Sequence, residues 1–429
     1  MSRKLPIAGY TFQMDALHKA NSDLTDRWVT AFHHWNGEAG WYRVLSSRDR
    51  VGTVATANAL VSLGALGAAV DPAHAISAMR CLLSRQVDQE YWTFVSNLNT
   101  IPVVDATCAV LEVLARASTH DPALAAEARS AATRSLDWLE ANEVSPLGGW
   151  GITPGAPYRT YSTAIAIQVL CLHGREYKDA TQRALGRLLT EVDPATGAWR
   201  DSSGQTSVAA TAEAVQALLQ AQTPYRRYSA EISRAVGWLV NVYQEHPDWI
   251  SSPVSGAHEE VSVDIGSRTL RVEYSHAVAA TALRTLVAAR TYDDSVVVHS
   301  VINCVQGVNN GRWHIFAGNQ YRSTPPSWML YDISIALSAW HALVPADIDS
   351  IWLGRHRIVF HKATTPKAAR LVSRHWPAIC WIIFTVLIIG ILRVAGVIES
   401  FGVKAIMVVV ASLILNVISN LVYDLLRRL

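Results

Sequence analysis

The stretch VVDATCAVLEVL, residues 103–114, places an acid, Asp105, just ahead of Thr107 and Cys108 at the head of an apolar helical run. An acid in that position has two readings. It is a proton donor in a dry cavity, where neighbouring groups must hold its proton in place. Or it is a helix-capping or cavity-polar group, whose ionised form the helix dipole and free N–H groups favour. An ionised acid protonates nothing, so the readings exclude each other. Asp105 is the candidate catalytic residue, with capping or cavity polarity as the competing role.

Asp105 belongs to a set. Two residues before the anchor of a recurring sequence frame, described below, stand Val54, Asp105, Tyr161, Ala209, Tyr274 and Tyr331. Three tyrosines and one acid at one end of a helical ring suit an aromatic-walled pocket with a few polar handles; the competing reading is that the tyrosines plug the ring. The turns feeding that end carry Arg43, Arg159, Arg200, Arg268 and Arg322, and PYRTYSTA and QYRSTPPS resemble one another. Arginines together with helix N-termini favour an anion, such as a phosphate- or diphosphate-bearing ligand. His276 opens the fifth frame, as a ligand-binding or simply buried histidine. The ligand-binding candidates are thus Tyr161, Tyr274, Tyr331, His276, Arg43, Arg159, Arg200 and Arg322.

The elements that must position these residues come from repeats. The frame Thr-Ala-x-Ala-apolar-x-x-apolar appears at Thr56, Thr107, Thr163 and Thr211, and more loosely at His276 and Ile333, at intervals of about 50 to 65 residues. Helices so apolar all round are buried. Amphipathic helices alternate with them. Two of these open with Asp-Pro, at Asp71-Pro72 and Asp121-Pro122, an N-cap followed by proline in the first helical position. Each leads into a turn with tryptophan, mostly with glycine: GEAGWYR, QVDQEYW, SPLGGWG, ATGAWR, QEHPDWI, NNGRWHI. No strand run competes, so the reading is all-α. Outer helix, turn and inner helix recur six times, and inner helices too apolar for solvent suit a closed ring.

On these turns and helices the chain resembles the repeat family of squalene–hopene cyclases and protein prenyltransferase β-subunits. Gln86 with Trp92, and Gln306 with Gly311 and Trp313, are the better matches to the family's glutamine–tryptophan repeats; elsewhere the glutamine is missing. The resemblance spans roughly residues 10–344 and implies an (α/α)6 toroid. It also implies catalytic signatures to look for. Aligned on Thr107, the cyclase Asp-x-Asp-Asp-Thr becomes Val103, Val104, Asp105, Ala106: the middle acid is present and both companions are gone. The prenyltransferase zinc site would draw on Asp105, Cys108 and His276. In a six-membered ring helices two and five are opposite, with axes about 16–20 Å apart if neighbours are about 8–10 Å apart, too far for bonds of about 2 Å to one zinc. No cofactor is assigned; zinc and magnesium stay open.

The bulk numbers frame the rest. The chain has 429 residues, 17% charged and 50% hydrophobic, with net charge +2. That charge does not suit a general nucleic-acid binder. Five scattered cysteines, none in a CxxC pair, fit a reducing compartment. No signal peptide is expected at the N-terminus. Residues 376–398 and 403–423 are each apolar over a span that crosses a bilayer core, and only Glu399 to Gly402 separate them. Basic residues precede the first span and follow the second, which puts both flanks in the cytoplasm at the plasma membrane. The expected layout is a toroid at 1–344, a basic linker at 345–375 and a membrane hairpin within 376–429. The expected partners are the lipid bilayer, an anionic small molecule or isoprenoid, and other copies joined through the hairpin. The favoured function is a membrane-tethered ligand-binding sensor or effector, a layout shared by analogy with bacterial defence proteins; the alternative is a membrane-attached terpene cyclase or prenyltransferase-like enzyme with Asp105 as acid.

Overall fold

A computed structural model describes residues 14–343, short connecting stretches excepted, and a strand pair within 350–359. In chain order the helices are α1 (Met14–Thr30), α2 (Thr53–Ala65), α3 (Pro72–Ser84), α4 (Val104–Arg116), α5 (Pro122–Ala141), α6 (Thr160–Leu172) and α7 (Asp179–Thr190). They continue with α8 (Val208–Ala221), α9 (Ser229–Glu245), α10 (Val278–Ala288), α11 (Ser295–Asn309), the short α12 (His314–Ala317) and α13 (Ser327–Leu343). The inner helices α2, α4, α6, α8, α10 and α13 each pack on the next, and α13 packs on α2. The ring therefore closes. Helices α1, α3, α5, α7, α9 and α11 form the outer layer, and the N-terminal α1 completes it by packing on α11 and α13. Asp71 caps α3 and Asp121 caps α5, each accepting backbone N–H bonds with proline at the helix start.

The Gly/Trp turn and the threonine frame are two halves of one staple. The indole N–H of Trp41, Trp92, Trp150 and Trp199 donates to the carbonyl of Trp28, Leu82, Leu139 and Leu188, at 2.6 to 2.8 Å. Each acceptor lies two residues before the end of its outer helix, where carbonyls lack an intrahelical partner. The backbone N–H of the same tryptophans donates to Oγ1 of Thr56, Thr107, Thr163 and Thr211, at 2.8 to 3.2 Å. Each threonine is the fourth residue of its inner helix. One tryptophan thus ties the end of an outer helix to the start of the following inner one. Glycine lets the turn approach the next repeat. At Gly197, with φ +75°, a Cβ would stand 2.9 Å from Cβ of Arg234 on α9.

Neighbouring repeats are stitched at the same end. The first N–H of α2, α4, α8 and α13 donates to Phe94, Ile152, Val254 and Arg43, carbonyls in the turn of the following repeat, at 2.9 to 3.2 Å. The last of these returns to the first repeat and seals the ring.

The all-α expectation needs correction. Three antiparallel strand pairs accompany the helices: β1 (His33–Trp35) with β2 (Glu38–Gly40), β3 (His258–Ile265) with β4 (Arg268–Ser275), and β5 (Ser350–Leu353) with β6 (His356–Val359). The β3–β4 hairpin lies between α9 and α10. The alternation in VSVDI and TLRVEY is a period-two strand signal. Among the described residues no helix is long and apolar enough to cross a membrane. The expected hairpin at 376–398 and 403–423 lies outside the described residues, as does Arg322.

Candidate functional site

The ring encloses two arginines, each buried between two carboxylates. The first cluster is assembled from four elements. Asp105 sits in the first turn of α4, Arg159 at the N-cap of α6 with Ser162 just inside that helix, and Glu259 on β3; His276 follows β4. Nη1 of Arg159 donates to Asp105 at 2.8 Å, and its other face meets Glu259, with Nε at 3.1 Å. The Ser162 hydroxyl donates to the second Asp105 oxygen at 2.7 Å. Glu259 also accepts the Ser202 N–H at 2.9 Å and stands 3.3 Å from Nε2 of His276. The guanidinium lies 4.8 Å from the Tyr161 ring centroid and 4.4 Å from that of Tyr274, stacked on both π-faces.

The second cluster joins non-adjacent repeats. Arg284 of α10 pairs with Glu213 of α8 and lies 3.5 Å from Asp332 of α13. The other Asp332 oxygen accepts from Thr281 at 3.1 Å, and Gln168 of α6 donates to Glu213 at 3.0 Å. The Tyr331 hydroxyl donates to Glu112 of α4 at 2.8 Å, reaching past α2, which separates those helices in the ring.

Charge balance decides what these clusters are. Burial alone would raise the Glu259 carboxyl, but the His276 hydrogen bond and the Arg159 charge outweigh it and hold it well below the usual carboxylate range. Burial pushes Asp105 the other way, against the lowering effects of Arg159 and Ser162, with the Glu259 charge adding to the rise. Around Arg159, burial and charge thus push the two acids in opposite directions. At Arg284, burial, against the Arg284 charge, pushes Asp332 up to about 7. Asp105, Glu112, Glu213, Glu259 and Asp332 are balanced by Arg159, Arg284 and, at the more exposed edge, Arg116 on Glu112. Acids are in excess.

Several sequence expectations change accordingly. Asp105 is no N-cap, since both its oxygens are taken by side chains of α6. Val54, Asp105, Tyr161 and Ala209 share the second position of their helices, but Tyr274 lies on β4 and Tyr331 is the fifth residue of α13. Tyr274 reaches the cluster through the hairpin, not through the repeat. His276 precedes α10, which begins at Val278. Arg159 is 2% exposed and saturated by carboxylates, so it offers no charge to an anion. Arg200 is exposed and paired with Asp193 at 3.1 Å, and exposed Arg43 stacks on Trp328 at 5.2 Å. The first N–H groups of four inner helices are already taken. Asp105 and His276 meet only through Arg159 and Glu259. Among the described residues no three His, Cys, Asp or Glu are grouped to hold a metal ion, and burial pushes the Cys108 thiol up, away from the thiolate a metal needs.

Sequence reasoning missed Ser162, Glu213, Glu259, Arg284 and Asp332. Three of these carried a usable signal: TAEAVQAL, ATALRTLV and LYDISIAL each place one charge inside an otherwise apolar inner helix, which stands only if it is paired in the interior.

Fold and clusters together define an α/α toroid with a polar, ion-paired interior. No protein-family model and no curated protein matches the chain. Similar solved structures include a family 76 glycoside hydrolase from a bovine Bacteroides thetaiotaomicron strain, 12% identical over 76% of this chain and 78% of that one, with TM-score 0.52. The family 76 α-1,6-mannanase from Salegentibacter is 10% identical over 76% of this chain and 99% of that one, with TM-score 0.51. A type II terpene cyclase from Scytonema is 14% identical over 77% and 97%, with TM-score 0.47. At these identities the likeness to the two glycoside hydrolases establishes the toroid fold alone.

Proposed function

We propose that the toroid is a ligand-binding module whose site is the interior of its ring, and that the chain is a sensor or effector tethered to the cytoplasmic face of a membrane by residues 376–423. The observation that carries this reading is the excess of paired acids beside Tyr161 and Tyr331, both of which keep accessible surface among buried neighbours. A ligand entering such a space meets aromatic faces and acceptors, not spare cations. The fitting chemistry is a neutral or cationic amphiphile, such as an isoprenoid alcohol, rather than a diphosphate. The test is thermal stabilisation of the detergent-solubilised full chain by farnesol and by farnesyl diphosphate. Farnesol should raise the midpoint and the effect should vanish in Tyr161→Ala; stabilisation by the diphosphate alone would overturn the reading.

A second reading rests on Asp105 itself. Burial raises its carboxyl, and it would give a proton to a basic or alkene group once the hydrogen bonds from Arg159 and Ser162 are released. Lipid analysis of cells expressing wild type and Asp105→Asn decides it. A product seen with wild type only supports an enzyme, and identical profiles exclude this role for Asp105.

A further inference from the structure

The fifth repeat breaks the staple of the first four. Trp249 follows α9 by only four residues and adopts φ +59°, a left-handed backbone that bulky residues rarely hold and that marks stored strain. Its side chain is buried, yet among the described residues its indole N–H has no hydrogen-bond partner. In place of the missing carbonyl lies a cavity of about 160 Å³ bordered by α9, α10, α11 and α12. It shares no residue with the two arginine clusters.

The walls of this wedge are chemically sorted. Ala279, Cys304, Ile315 and Phe316 supply apolar surface. Trp249 supplies a donor with no partner among the described residues, and the buried Ser300 supplies a hydroxyl that lies against that of Tyr243. Tyr243 is not available: its hydroxyl hydrogen-bonds Nδ1 of His299 and accepts from Asn303 at 3.3 Å. At the rim stands Arg312, exposed and without an ion pair among the described residues. Asp248, also at the rim, is engaged by the N–H and hydroxyl of Ser251 at 3.0 and 2.6 Å.

Buried donors without acceptors are costly and call for an occupant that accepts. An engineered cavity of roughly 150 Å³ holds benzene, so the wedge has room for one aromatic ring. We propose that it binds a small aromatic monocarboxylate of benzoate size. The ring lies on Phe316 and Ile315, the carboxylate accepts from Trp249 and Ser300, and Arg312 balances its charge.

Fluorine NMR of para-fluorobenzoate with the full chain tests this. Saturable binding is expected with a dissociation constant at or below about 1 mM. Trp249→Phe and Arg312→Gln should each weaken it about tenfold. The uncharged para-fluorotoluene should bind at least about tenfold more weakly, and Tyr161→Ala should leave benzoate binding unchanged. Arg312 is exposed, so its variant keeps the fold and remains informative if Trp249→Phe does not. Absence of saturable binding, equal binding of fluorotoluene, or unchanged affinity in Arg312→Gln would overturn the proposal and leave a water-filled wedge.

Discussion

Replacing Arg159 by methionine keeps an unbranched side chain in the ring but removes the cation on which Asp105 and Glu259 converge. Arg159 is 2% exposed, and the side chains of its partners are 9% and 3% exposed. Removing one member of a buried ion pair costs about 3–5 kcal/mol, because the remaining charge stays desolvated and unpaired. For a folded unit of roughly 330 residues the unfolding entropy near the midpoint is about 0.7 kcal/mol/K, so Tm should fall by about 4–7 °C. The loss should depend on pH. In the wild type, the depressed carboxyl of Glu259 contributes stability above the usual carboxylate range and loses it as pH falls through its folded value. Without Arg159 that contribution shrinks to what the His276 hydrogen bond supplies. Asp105, which burial already raises, then contributes stability at low pH that is lost as pH rises. The deficit should therefore grow with pH, from its smallest value at the most acidic pH the fold tolerates to its largest above about pH 7. Thermal melts of both proteins across this range measure it. Adding Asp105→Asn and Glu259→Gln to the variant should restore most of the lost Tm at high pH. A deficit independent of pH, or no recovery in the triple variant, would refute the charge argument.

Asp332 gives a complementary prediction. Its folded value of about 7 lies above its unfolded one, so its contribution is present below about pH 4 and lost as pH rises through 7. Arg284, Glu213, Thr281 and Glu112 face it, and Asp332→Asn should flatten the fall in stability between about pH 4 and 8, worth up to roughly 4 kcal/mol. Thr163→Val strands the buried N–H of Trp150 and should cost about 1–3 kcal/mol in urea denaturation, an effect absent at an exposed threonine such as Thr133. Deleting residues 376–429 should release the chain from carbonate-washed membranes that retain the full-length protein; equal partitioning of both would remove the hairpin as the anchor.

The toroid was legible because its signals are local and repeated. A tryptophan turn and a threonine frame recur along the chain, and the first four copies make the same hydrogen bonds. The mouth was legible only in part. Asp105 and Tyr161 do share the second position of their helices, since a repeat carries register from one helix to the next. Arg159 was misread as an anion ligand because its second partner, Glu259, is 100 residues away on a hairpin with no counterpart in the other repeats. That hairpin was overlooked because its alternation falls where the repeat leads one to expect only a connection. The Arg284 cluster was missed for a related reason. Each of its charges looks like an isolated exception within one helix, and only the packing of α10 between α8 and α13 brings the three exceptions together.

Closure also constrains the order in which the molecule is made. Trp28 of α1 bonds Ser334 of α13 across 306 positions, and Ser338 bonds the carbonyl of Ala65 across 273. The first repeat lacks its second neighbour until the sixth leaves the ribosome. Contacts of such sequence separation form slowly, so the nascent chain holds an open arc of apolar helices throughout its synthesis. Sealing the ring therefore waits on the last inner helix, and a delay in making it prolongs the exposure of that apolar arc.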